Sequence, residues 1–157
     1  MSQAAINIAI LATITAVDAG GKAHGYARWS ADWNAFLALF KSGSQIRGWS
    51  VSREATATRQ ATAGEVEKAH VFVIRGIMGL QDAAATETTF QALLDSLQDA
   101  FLADDRLGGA CDTLSPDWGP LAGAAGAQVS VVETRMFGSV LCHYAELRLC
   151  AVETQAV

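Results

Sequence analysis

The chain has 157 residues, 51% of them hydrophobic and 17% charged, which suits a single domain with an ample core and excludes a mainly disordered polypeptide. Eleven Lys and Arg against sixteen Asp and Glu leave a formal charge of −5, and no basic run occurs. That sets aside nucleic-acid binding, which relies on clustered cations to displace counterions.

The first seventeen residues are uncharged apart from the amino terminus. Ile6, Ile10, Ile14 and Val17 recur at helical spacing, while Asn7, Thr13 and Thr15 interrupt the apolar run and no basic leader precedes it. An amphipathic helix is expected rather than a signal peptide, too short in its apolar part to span a bilayer, and the protein reads as cytosolic. Asp18-Ala-Gly-Gly21 should end that helix through a left-handed glycine turn. Next, Tyr26, Trp29, Trp33, Phe36, Leu37 and Phe40 fall three or four apart, with Ser30 as a cap and Gly43 as a stop for a short helix. Such a stripe is most simply core; its other reading is a ligand box or a protein contact.

Residues 46–59 alternate as a strand, residues 61–65 form a loop or hairpin connection, and residues 67–80 give the strongest strand pattern in the chain. The latter is β-branched and almost continuously apolar, so both faces should be covered. Gly76 and Gly79 within it predict a bulge or a close backbone approach.

Phe90, Leu93, Leu94, Leu97 and Phe101 make the apolar stripe of a helix capped by Thr86 or Thr88 and ended by Leu107-Gly108-Gly109. Burying that stripe contributes on the order of 10 kcal/mol before entropy. Asp95, Gln98 and Asp99 should face water, which makes the Asp95/Asp99 spacing a solvated pair rather than a catalytic one. Residues 107–128 read as loop, with a short strand possible around 110–114 and no GxGxxG or phosphate-loop lysine. Residues 128–136 and 140–152 read as two strands joined around Phe137-Gly138.

The last strand, with Cys142, His143, Tyr144 and two glutamates nearby, is the one stretch that invites a catalytic reading. Alternation puts Cys142 and His143 on opposite faces, so they cannot act as a dyad. Leu141, His143, Ala145, Leu147, Leu149 and Ala151 share one face; Cys142, Tyr144, Glu146, Arg148 and Cys150 share the other, with Glu146 and Arg148 paired. His143 reads as a satisfied core or interface histidine. Neither His24 nor His70 joins a recognisable motif, and HxH, HExxH and GxSxG are absent. The cysteines, Cys111, Cys142 and Cys150, are odd in number and without metal-knuckle spacing, and read as buried thiols in a reducing compartment. No catalytic, cofactor-binding or metal-binding residues are assigned.

The expected fold is therefore a single α+β domain, an antiparallel or mixed sheet of four to five strands packed by two main helices. A helical and aromatic segment, 1–45, precedes a sheet-and-helix core, 46–153. The segments HVFVIRGIMGLQDA, TETTFQALLDSLQDAF, DDRLGGACD and MFGSVLCHYAELRLCAVE together resemble the tail terminator (tail completion) proteins of long-tailed bacteriophages, particularly Mu-like ones, over residues 46–153. The resemblance implies a virion structural protein that is not an enzyme and needs no cofactor. It would form a ring, a hexamer in that family, at the head-proximal end of the tail tube. Its partners would be copies of itself, the tail tube protein and a neck or head-completion protein, with DNA passing through unbound and no membrane involved. It would act in the virion after assembly in the host cytoplasm. Under this resemblance the candidate interface residues are Trp49, Arg53, Arg59, Arg75, Phe137, Tyr144 and Arg148, since arginine and aromatic residues are enriched at interface cores. Arg75, in an apolar strand, needs a partner within or across subunits. The alternatives are another neck, head–tail joining or minor tail component, or a small cytosolic enzyme or ligand-binding domain with a pocket lined by Trp29, Trp33 and Phe40.

Overall fold

A computed structural model of the chain describes residues 2–157 as an α+β domain built on a mixed six-stranded sheet. The elements run α1 (Gln3–Val17), β1 (Lys22–His24), α2 (Trp33–Ala38), β2 (Lys41–Ser42), β3 (Gln45–Thr62), β4 (Glu65–Gly79), α3 (Thr86–Ala103), β5 (Gln128–Phe137) and β6 (Val140–Ala156). The strand order is β1-β3-β4-β6-β5, with β2 paired to the start of β3. Only β1 runs parallel to its neighbour. The sheet exceeds the four to five strands expected because β1 and β2 are three and two residues long, too short to show any alternation.

The β3–β4 hairpin dominates the molecule. Its pairing extends from Arg47↔Met78 to Thr62↔Glu65, so only Ala63 and Gly64 form the turn and the predicted loop at 61–65 shrinks. At ~3.3 Å per residue, the eighteen residues of β3 span roughly 60 Å. β4 lies between β3 and β6 and is buried on both faces from Ala69 to Ile74, as its almost continuously apolar run requires.

One face of the sheet carries the main core. Trp49, Val51, Phe72, Ile74, Met78, Ala145, Leu147, Leu149 and Ala151 pack against Ile6, Ile10 and Ile14 of α1 and Phe90, Leu94, Leu97 and Phe101 of α3. These are the faces that helical and strand periodicity select. Asp95 and Asp99 are exposed, but Gln98 is half-buried and donates to the Ala127 carbonyl rather than facing water. On the opposite face, Phe36 and Leu37 of α2, with Phe40 just after it, pack onto Ile77, Phe137, Cys142 and Tyr144. Farther along that face, Trp118 and Leu121 of the loop cover Ala69, Val71, Cys150 and Val152.

Several local expectations are corrected. Helix α1 ends at Asp18 without a left-handed glycine, because the buried Asp18 carboxylate is tied to Arg47 and Trp49 and holds the exit itself. The cap of α2 is Asp32, whose side chain accepts from the Ala35 N–H, and not Ser30. Gly43 instead takes the φ +64° turn between β2 and β3. Helix α3 starts after Ala85 in a left-handed conformation, with no side-chain cap. Thr86 lies in the first turn, and its hydroxyl reaches back to Gln81 and across to His143. The helix stops at Ala103, before Leu107-Gly108-Gly109, which forms a separate 3-10 turn. The possible strand at 110–114 is a single bridge, Thr113↔Val152. Gly76 is a close approach and Gly79 is neither approach nor bulge; the hairpin's register shifts lie between Arg53 and Ala55 and between Gln60 and Thr62.

Candidate functional site

The seven interface candidates do not form one patch. Trp49 is 1% exposed; it stacks on Phe90 in the main core and donates its indole N–H to Asp18 at 2.8 Å. That location removes it from the surface, and its sequence pattern on a half-buried strand could equally have signalled core. Arg53 and Arg59 are exposed on the outer half of β3. Arg59 binds Glu67 and lies over the Trp118 ring, 4.7 Å from its centroid. Phe137 and Tyr144 are buried beneath α2.

Arg148 belongs to a polar strip across the middle of the α2 face. It donates to both Glu54 oxygens at 2.9 and 3.0 Å, to Ser130 Oγ at 2.7 Å and to Glu146 at 3.1 Å. The Arg148 hydrogen bond holds the Glu54 carboxyl below its usual range. Burial works to raise Glu146, but Tyr144 and Arg148 outweigh it and hold that carboxyl low. The Tyr144 hydroxyl donates to Glu146 at 2.7 Å, and burial pushes its pKa up. The Glu146–Arg148 pairing read from alternation is therefore present, with Glu54, which the sequence does not connect to it, as the stronger partner. Arg75 lies beside this strip, and the one side-chain hydrogen bond it makes is to Ser52 at 3.3 Å.

The aromatic segment divides by burial. Phe36, Leu37 and Phe40 are core, whereas Tyr26, Trp29 and Trp33 are 61%, 72% and 47% exposed. Trp29 stacks on Phe36, and Trp33 meets both Phe36 and Phe137 edge-on. These rings form one wall of a cleft of about 140 Å³, whose floor and far side include Phe40, Ile77, Tyr144 and three arginines, Arg28, Arg75 and Arg135. Trp29, Trp33 and Phe40, the three residues of the alternative pocket, do line one cavity. Arg135 lies 3.9 Å from the Tyr144 ring centroid and is bonded to Glu133. Arg28 sits 5.2 Å from the Tyr26 ring and donates to His24 Nδ1 at 3.4 Å. That nitrogen is the acceptor because His24 Nε2 donates to the Leu39 carbonyl at 2.7 Å. Sequence spacing could suggest the tryptophans, but nothing in it brings Arg75 and Arg135, sixty residues apart, to the same cleft.

The histidines are hydrogen-bonded within the fold, and the cysteines are buried. His143 packs against Phe90 and shares a hydrogen bond with the Thr86 hydroxyl at 2.8 Å. His70 bridges Thr56 at 2.8 Å and the buried Glu153 at 2.9 Å. The three cysteines are free and buried; burial pushes Cys111 up to about 12 and Cys142 and Cys150 up to about 11, which leaves all three protonated at neutral pH. Among the described residues no cluster of three or more His, Cys, Asp or Glu is placed to hold a metal, and no helix is long and apolar enough to cross a membrane.

The sheet edges are the remaining surface of interest. β1 and β2 cover β3 only as far as Ser50, so its outer edge is open from Val51 to Thr62. β5 is the opposite edge, with Val132, Met136 and, on neighbouring β6, Leu141 exposed. No protein-family model matches the chain, and no curated protein is significantly similar to it.

Proposed function

We propose that this chain is a phage tail terminator subunit, a virion structural protein that closes into a ring on the head-proximal end of the tail tube. The ring ends tube growth and presents a surface to the neck. The observation that carries this reading is the pair of open edges on opposite sides of one sheet, the outer half of β3 and the whole of β5. A ring needs two different, complementary surfaces on each subunit, so that a head-to-tail contact repeats until rotation closes it. Edge strands left open invite chain-to-chain pairing. Here the register shifts in β3 and between Val129 and Val131 of β5, with Arg53, Glu54 and Arg59 on the outer strand, limit that pairing to a matched partner. The formal charge of −5 suits a subunit around a channel that passes DNA without holding it.

The test is to omit the protein during tail assembly. Overlong tubes that fail to join heads support the role, and tails of normal length refute it. Solution mass and negative-stain images of the purified chain, alone and with tail tube protein, should give closed rings with a central hole; a chain that stays monomeric with the tube present would count against it.

A further inference from the structure

The aromatic cleft beneath residues 26–33 is unaccounted for by ring closure through sheet edges. Its lining holds three arginines, Arg28, Arg75 and Arg135, and no Asp or Glu, in a chain where acids outnumber Lys and Arg sixteen to eleven. Arg135 is already paired with Glu133. Neither Arg28 nor Arg75 forms an ion pair among the described residues. Glu54 and Glu146 feel the Arg75 charge, but both accept from Arg148, and Glu146 also accepts from the Tyr144 hydroxyl. Beside these cations Trp29 and Trp33 leave much of their indole area in water, held in place by Phe36 and Phe137 rather than by each other. Preformed aromatic rings next to guanidiniums without carboxylates are the make-up of a protein-binding hot spot, where Trp and Arg are enriched in desolvated pockets.

We propose that this cleft docks an acidic segment of another protein that carries one aromatic side chain. The aromatic ring enters beside Trp29 and Trp33, and flanking carboxylates meet Arg28 and Arg75. Charge selects the occupant: a basic or neutral segment leaves the two arginines without counter-charges, whereas an acidic one supplies the ion pairs that the chain itself withholds. Arg28, Trp29 and Trp33 lie ahead of or at the start of α2, away from the sheet edges, whereas Arg135, Met136 and Phe137 belong to β5, so the cleft adjoins the edge that the ring reading uses.

The test uses the full chain and a fluorescein-labelled Ser-Asp-Glu-Phe-Asp-Glu-Ser peptide, read by anisotropy. Saturable binding on the order of 10–100 μM is expected, typical of a short segment engaging one hot spot. The amide version, Ser-Asn-Gln-Phe-Asn-Gln-Ser, should bind at least tenfold more weakly. Arg28→Gln and Trp33→Ala should each weaken the acidic peptide about tenfold while circular dichroism shows the fold retained. Equal binding of the two peptides, indifference to both substitutions, or saturable binding of free phenylacetate without peptide binding would each overturn the proposal. The titration is run on the monomeric chain, so its outcome is read separately from ring formation.

Discussion

Replacing Gly76 by alanine tests the packing of the main core at its tightest point. A Cβ at this position would sit 2.3 Å from Cζ3, 2.7 Å from Cε3 and 3.0 Å from Cη2 of Trp49. Ordinary carbon–carbon contacts lie near ~3.5–4.0 Å, so the overlap exceeds about 1 Å. The indole cannot retreat, because it is 1% exposed, stacks on Phe90 with centroids 6.0 Å apart and donates to Asp18 at 2.8 Å. Overpacking of this kind costs about 1–3 kcal/mol. Displacing the indole also weakens a hydrogen bond to a charged acceptor worth about 1.5–3 kcal/mol. Against this, Gly→Ala lowers the entropy of the unfolded chain, a gain of only about 0.4–1 kcal/mol. The clash wins, with a net loss of roughly 2–4 kcal/mol. In a domain of this size that lowers the melting temperature by roughly 5–15 °C. Thermal melts followed by circular dichroism, with urea titrations, measure it. Gly79→Ala is the control, since its nearest atom there is Ile46 Cβ at an ordinary 3.6 Å. Trp49→Leu removes the obstructing ring at its own cost, and on that background Gly76→Ala should add little. A Gly76→Ala melt within about 2 °C of the parent, or an equal cost in both backgrounds, would refute the close-approach argument.

Asp18→Ala should destabilise by about 3–5 kcal/mol in a urea titration, because it leaves Arg47 without the carboxylate at 2.7 Å and orphans the buried Trp49 N–H; a loss below about 1 kcal/mol would mean that water replaces the carboxylate. The thiols give a pH test. Their folded pKa values, about 12 for Cys111 and about 11 for Cys142 and Cys150, lie above the ordinary value of 9.0 that the unfolded chain has. Above that ordinary value the unfolded state ionises first and binds fewer protons, so stability is intact below pH ~9 and falls as pH rises toward 11–12. Melting temperatures measured across this range should decline, and a Cys111→Ala/Cys142→Ala/Cys150→Ala variant should decline less. At neutral pH none of the three thiols should react with a chromogenic disulfide until denaturant is added; prompt labelling of the native protein would contradict their burial.

The sequence by itself determined the elements whose patterns are long enough to repeat. The isoleucine stripe of α1 and the Phe90-to-Phe101 stripe of α3 appear where the residues place them, because burial on one face imposes a period, and the nearly continuous apolar run of β4 is covered on both faces as expected. Alternation also separated Cys142 from His143 and joined Glu146 to Arg148. Only the tertiary structure decided what depends on residues far apart in the chain. β1 and β2 exist because β3 offers them an edge, and two or three residues carry no period. Asp18, not a glycine, ends α1, because Arg47 and Trp49 arrive from β3 to meet its carboxylate. The aromatic stripe divides into core and cleft according to which rings lie over Ile77 and Tyr144. Local spacing fixes which way a side chain turns from its own backbone; what it meets is fixed by strand pairing across the sheet, and that is where the cleft and the open edges arise.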